Sequence, residues 1–222
     1  SVSVAKGYTA QTVSYEKINN TGYIRITHFY QNTVSQMREA LDKLAAQNIL
    51  SLVIDVRQAS EGDTQYAVST ADLIVPLTEG SALVTAYDKN EEVYQTFASD
   101  ANSVSYPMAV LVDSGTSGPG EIFAVTLRDF GAQLVGQKTA GVGTMSEVFQ
   151  LNDGSAVRLT VAVLQPYKSE RYDGVGLTPD IEAELTQEQR ENLKLLSHDA
   201  DTQLQVALSY LNATGTSQAN VQ

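Results

Sequence analysis

The side chains with the clearest chemical potential lie between residues 107 and 146. Ser117 sits in the glycine-rich turn Ser114-Gly-Thr-Ser-Gly-Pro-Gly-Glu121, and Lys138 follows in Leu134-Val-Gly-Gln-Lys-Thr-Ala-Gly-Val-Gly-Thr-Met-Ser146. A serine hydroxyl activated by a lysine amine suits covalent acyl transfer, provided burial depresses the amine enough for it to accept a proton. On a solvated face the amine keeps its usual pKa of about 10.4 and is a poor base at neutral pH. Other chemistries are thinly provided for. With no cysteine in the chain, a thiol nucleophile, a disulfide framework and a thiolate metal site are all excluded. His28 and His198 lack the spacing of a metal site or a triad, so surface or capping roles are expected of them and no metal or cofactor is expected.

The elements around the turn give it a chemically favoured position. The apolar run Pro107-Met-Ala-Val-Leu-Val-Asp113 reads as a buried strand, and Ile122-Phe-Ala-Val-Thr-Leu-Arg-Asp-Phe130 as a helix. The turn therefore joins the C-terminal end of a strand to a helix N-terminus, where free amides and the helix dipole converge. The same residues also start a helix well without any chemistry: Gly118 as N-cap, Pro119 at the first helical position and Glu121 at the third. Asp55 and Arg57, at the end of an apolar strand over 50–56, read as a structural ion pair.

The rest of the chain supplies an α/β pattern. Extended lead-in segments are expected over 1–19, with Val2, Val4, Tyr8 and Val13 alternating, then a strand over 23–29. A helix over 33–47 is expected to open on Thr33 and Gln36 as a capping box and to bury Val34, Met37, Leu41 and Leu44. Strand 50–56 after that helix implies a parallel neighbour. A helix over 63–74, a strand over 81–87 and a polar loop or hairpin over 88–106 follow. Strands 147–151 and 156–164 flank the turn Asn152-Asp-Gly-Ser155 as a hairpin. The mixed-charge stretch 168–173 reads as a solvated turn. Thr186-Gln-Glu-Gln189 opens a helix carrying Leu193 and Leu196, and Asp201 opens another with Leu204, Ala207, Leu208 and Leu211 on one face, a stripe for the chain's own core or for a homodimer. The organisation expected is thus a lead-in (1–19), an α/β core (20–185), C-terminal helices (186–212) and a disordered polar tail (213–222). With 14 basic against 26 acidic residues the net charge is -12, which disfavours nucleic acid and anionic membrane surfaces. No apolar run is long enough for a membrane span.

Several segments together carry a family resemblance. The turn and its helix, the Val135-Gly-Gln-Lys-Thr-Ala-Gly-Val-Gly143 segment, Gly22-Tyr-Ile-Arg-Ile-Thr-His-Phe29, Leu52-Val-Ile-Asp-Val-Arg57, Asp153-Gly-Ser-Ala-Val-Arg-Leu-Thr-Val-Ala162 and Asp173-Gly-Val-Gly-Leu-Thr-Pro-Asp-Ile181 occur in the order of the C-terminal processing, or tail-specific, peptidases. The resemblance covers most of 4–183. It implies a crotonase-like mixed, largely parallel sheet flanked by helices, a serine nucleophile with a lysine base, an extracytoplasmic setting and substrates that are extended peptides or protein C-terminal tails. It also implies that the strand after Gly143 runs beside the substrate, so that Thr144, Met145 and Ser146 offer a backbone edge for strand addition. The family's PDZ module has no counterpart within this sequence.

At the chemical positions the sequence departs from that family. Aligned on Glu121, the family's serine position holds Gly118; aligned on Gly141 and Gly143, its lysine position holds Val142. The segment after Asp55-Val-Arg57, which in the family reads Asn-x-Pro-Gly-Gly and helps to form the oxyanion hole, here reads Gln58-Ala-Ser-Glu-Gly62, leaving Gly62 and Gly118 as the oxyanion region. Glycine has no hydroxyl and valine accepts no proton, so nucleophile and base are both missing, and Glu61 would oppose a developing negative charge. The expectation is a pseudo-peptidase that binds peptides or scaffolds proteins. Its alternatives are an active serine endopeptidase using Ser117 with Lys138, and a structural dimerisation or regulatory domain.

Overall fold

The computed structural model describes residues 10–101 and 103–219. The lead-in expectations at Val2, Val4 and Tyr8 lie outside the described residues. The chain opens with β1 (Val13–Ile18), β2 (Thr21–Ile26) and the short β3 (His28–Phe29), then α1 (Gln31–Ala45). β4 (Ser51–Asp55) and the short β5 (Glu61–Gly62) lead to α2 (Thr64–Asp72), and β6 (Ala82–Tyr87) turns back into β7 (Val93–Ala98). The centre is β8 (Met108–Val112), α3 (Pro119–Asp129) and β9 (Gln133–Gly136), followed by the hairpin β10 (Thr144–Gln150) and β11 (Ala156–Pro166). The chain closes with β12 (Ile181–Glu182), α4 (Gln187–Glu191) and α5 (Thr202–Ala219).

The main sheet has the order β1-β2-β4-β8-β9-β12, parallel apart from the β1–β2 pair. Its central strands read as unbroken apolar runs because both faces are covered. Ile24, Leu52, Ile54, Val110, Val112 and Leu134 face a core shared with α1, α2, α3 and the second sheet. The alternating residues Tyr23, Val53, Ala109, Leu111 and Val135 face a smaller core closed by Leu204, Ala207 and Leu211 of α5. The second sheet, β10-β11-β6-β7, is antiparallel throughout, and β10 and β7 are its edges.

Most expected elements are present, with shifted ends. α1 begins two residues before Thr33, because the Thr33 hydroxyl accepts the Tyr30 N–H at 3.0 Å from inside the first turn. Gln36 is not part of that cap; its side-chain oxygen accepts the Thr12 and Val13 N–H groups at 2.9 and 3.0 Å, tying α1 to the start of β1. The 88–106 stretch contains β7, which makes a hairpin with β6. Stretch 168–173 is not simply solvated: Tyr172 is buried, and Arg171 forms a bidentate pair with Glu91 at 2.9 and 2.7 Å. The Thr186 capping box holds, yet α4 ends at Glu191, before Leu193. The expected disordered tail begins inside α5, which continues to Ala219, and Thr214 bonds back to the Tyr210 carbonyl at 3.2 Å; residues 220–222 lie outside the described residues. The α5 stripe offered for a dimer is instead spent inside the chain, with Leu204 fully buried against the sheet.

Candidate functional site

The turn after β8 is built by short polar ties to the loop after β4. Asp113 accepts the Gln58 and Gly115 N–H groups at 2.9 and 3.0 Å, the Thr116 hydroxyl donates to the Val56 carbonyl at 2.9 Å, and the Ser117 N–H donates to the Ala59 carbonyl at 3.1 Å. These ties hold Gly118 at φ 49° and ψ -107°, a conformation that residues with a side chain rarely adopt. Among the described residues, a Cβ placed on Gly118 would have a single neighbour within 4 Å, the Val142 Cγ1 at 3.9 Å. Gly118 and Val142 thus face each other across a short gap, and Val142 is partly exposed at that point.

One carboxylate fixes both sides of the gap. Glu121 is fully buried, and it accepts the N–H groups of Gly118 at 3.0 Å, Gly141 at 2.7 Å and Val142 at 2.8 Å as well as the Thr139 hydroxyl. Asp173 adds a further anchor by accepting the Gly143 N–H at 3.0 Å. Beside them Tyr172 is buried, and its hydroxyl has no hydrogen-bond partner among the described residues. Burial foremost, then the Glu121 and Asp173 carboxylates, push its ionisation well above the usual tyrosine range. Tyr172 is therefore a neutral phenol, not a base.

The clamp also decides which amides remain for an anion. The Gly118 N–H belongs to Glu121, Pro119 has no N–H, and the Gly120 N–H donates to the Ser117 carbonyl at 3.0 Å. An oxyanion needs converging unspent donors, and these three positions supply none. Ser117 is half-buried and Lys138 is exposed, with no hydrogen bond between them among the described residues. Glu61 is exposed and engages neighbours of its own: the Tyr30 hydroxyl donates to it at 3.1 Å, and the His28 Nε2 lies 3.8 Å away. Gly62 pairs with Phe29 in the two-stranded β3–β5 ribbon.

Past the gap, Thr144, Met145 and Ser146 begin β10, whose outer edge pairs with no other strand among the described residues. Met145 is buried in the main core while Ser146 is exposed, and a bulge between them bends the strand.

Residues 20–183 match the family described as Peptidase family S41. The chain belongs to peptidase family S41. Among curated relatives it is 36% identical over 162 residues to the chloroplastic carboxyl-terminal-processing peptidase 2 of Arabidopsis thaliana, a match covering 72% of this chain and 31% of the relative. It is 30% identical over 209 residues to the carboxy-terminal processing protease CtpA of Bacillus subtilis, covering 90% of this chain and 44% of that protein. The chain thus spans between about a third and a half of the length of these relatives. A solved photosystem II D1 C-terminal processing protease superposes with a TM-score of 0.70 at 27% identity, covering 80% of this chain and 49% of the other. The crotonase-like α/β fold is shared with that structure.

Within this S41 domain the sequence-level reading of Asp55 and Arg57 is met by a larger tie. The Arg57 guanidinium is buried and forks between Asp55, at 2.9 and 2.6 Å, and Asp201, at 3.0 and 2.7 Å, with Gln203 accepting at 3.0 Å. Burial alone would raise the Asp55 carboxyl, but Arg57, with help from Arg25 and the Tyr23 hydroxyl, holds it below the usual aspartate value. His198 pairs with Glu16 at 3.1 Å, a surface role as expected. Sequence reasoning missed Glu121 as the clamp, Asp173 as the anchor of Gly143 and Asp201 as the second half of the Arg57 fork. Their partners lie 20, 30 and 144 residues away, so no local spacing signals them. Among the described residues no group of three or more His, Asp or Glu side chains is arranged to hold a metal, and no helix is long and apolar enough to cross a membrane.

Proposed function

We propose that this S41 domain is proteolytically inert and holds extended peptides or protein C-terminal tails along the outer edge of β10. The observation that carries the reading is the Gly118–Val142 pair: the backbone geometry brings the two positions together, and neither residue has a group that attacks or accepts a proton. Loss of one member of a catalytic unit generally disables it, and with the Gly118 and Gly120 N–H groups already bonded and none on Pro119 these three positions offer an anion no donor. What remains intact is an open strand edge at Thr144–Ser146 next to a gap lined by Gly118 and Val142, the arrangement by which a sheet accepts an added strand. An extracytoplasmic setting follows from the family resemblance, and the names of the relatives point to protein tails as the ligand class.

Two measurements test it. The domain is expected to resist labelling by a serine-directed fluorophosphonate and to leave an unstructured protein with an apolar C-terminus uncleaved; turnover abolished by Ser117→Ala would overturn the inert half. Fluorescence anisotropy against a panel of C-terminal peptides is expected to give saturable binding that weakens when Ser146 is replaced by proline. A flat response across the whole panel would remove the binding half.

A further inference from the structure

The start of β10 is anchored outside its own hairpin. The Gly143 N–H donates to the Asp173 carboxylate at 3.0 Å, and a Cβ on Gly143 would lie 2.8 Å from the Asp173 backbone N, so a shift of Asp173 is passed directly to the strand. Thr144, the first residue of β10, pairs with Val163 of β11, which pairs in turn with Tyr87 at the end of β6. Directly paired residues share a sheet face, so these three form one row from the outer edge into the sheet.

One side chain joins the two supports. Arg171, two residues before Asp173, lays its guanidinium 5.2 Å over the Tyr87 ring and forks onto Glu91 at 2.9 and 2.7 Å. Glu91 sits in the turn between β6 and β7 at φ 61°, a left-handed conformation uncommon for a residue with a side chain. Asp88 fixes that turn by accepting the Asn90 and Glu92 N–H groups at 2.8 and 2.9 Å. The Arg171 and Glu91 side chains are 33% and 69% exposed, and an ion pair so open to water adds little to stability. A bidentate fork aimed from an unfavoured backbone conformation is more geometry than that small gain explains. What the pair can set is position. It closes a circuit that runs from Arg171 through Asp173 to Gly143 on one side, and through Tyr87 and Val163 to Thr144 on the other. Both routes end at the first residues of the open β10 edge.

We propose that Arg171 and Glu91 are positioning residues that hold the start of β10, from Gly143 to Ser146, in the alignment an added strand requires. The consequence for ligands rests on the reading that this edge holds peptides; the positioning itself does not.

Two independent readouts test it. The first is hydrogen exchange of the Gly143 amide in the full chain, followed by NMR with the amides of the buried strand β8 as reference. Arg171→Ala and Glu91→Ala are each expected to speed Gly143 exchange several-fold and to leave β8 unchanged. The reversed pair, Arg171→Glu with Glu91→Arg, is expected to bring Gly143 back towards the wild-type rate. The second readout is anisotropy with the C-terminal peptide that the wild type binds most tightly. Both single variants are expected to weaken that binding by about fivefold, and the reversed pair to recover most of the loss. Should no peptide bind the wild type, the peptide-holding reading fails and the exchange measurement decides the positioning alone. Gly143 exchange unchanged in both single variants, an equal rise throughout β8, undiminished binding of a peptide that the wild type holds, or no recovery in the reversed pair would overturn the proposal and leave a surface ion pair only.

Discussion

Gly118 combines a backbone conformation that side chains avoid with empty space where a side chain would project. The two properties act separately, and a substitution series distinguishes them. Gly118→Ser meets no clash, since Val142 is its single near neighbour among the described residues, but it pays the backbone strain of a positive φ, about 1–3 kcal/mol. Urea unfolding is expected to show that loss, while fluorophosphonate labelling stays absent. Adding Val142→Lys supplies an amine opposite the new hydroxyl, yet the Glu121 clamp and Pro119 still withhold the donors that an oxyanion needs. Gly118→Ser with Val142→Lys is therefore expected to hydrolyse a reporter peptide barely above background. Pro119→Ala on top of that pair restores one free amide at the helix N-terminus, and one such donor is worth about 10²–10³ in rate. Steady-state cleavage of the reporter by the double and triple variants checks it; equal rates would show that the missing amide is not the obstacle.

Strand β4 and helix α5 are joined by a single buried guanidinium. Asp55 and Arg57 were legible as a pair because they close an apolar run two residues apart, but Asp201 was not, since at the sequence level it reads as an ordinary helix N-cap. It is that cap as well: its Oδ1 accepts the Leu204 N–H at 3.0 Å while pairing with Arg57. The hairpin around Asn152-Asp-Gly-Ser155 was legible for the opposite reason, that turn chemistry is local. The start of α1 was not, because a hydroxyl capping from inside the first turn and one capping from its edge look alike in sequence. Asp55→Asn leaves the Arg57 charge buried with half its fork, and a loss of about 3 kcal/mol is expected on the scale of broken buried pairs. The pH dependence has a definite sign. With its folded pKa depressed, Asp55 contributes stability that is fully present above the ordinary aspartate value of about 3.9 and is lost as the pH falls through the depressed folded value. The gap in unfolding free energy between the wild type and Asp55→Asn should stay constant from neutral pH to about pH 4 and close below it; a gap that closes already near pH 6 would mean that another group controls the tie.

For the molecule as a whole, the main sheet has two apolar faces and covers them unequally. Three helices and a second sheet close one face, whereas Val53, Ala109, Leu111 and Val135 on the other rely on α5. The unbroken apolar runs in β4 and β8 made a doubly covered sheet legible, but not which helix covers which face, because the α5 stripe suits a dimer contact as well as a core. Its burial decides in favour of the core. Ending the chain at Ala200 would then do two kinds of damage together: it bares one full sheet face, and it removes Asp201 and Gln203 from the buried Arg57. Loss of either is costly, and the combination is expected to abolish cooperative thermal unfolding and to produce a form that binds the dye ANS and elutes as soluble aggregate in size-exclusion chromatography. Restoring the helix as a separate peptide of residues 201–219 should rescue the monomer only if the peptide keeps Asp201, since the guanidinium must be paired before the apolar face closes over it. A truncated chain that unfolds cooperatively as a monomer would show that α5 decorates the fold and does not complete it.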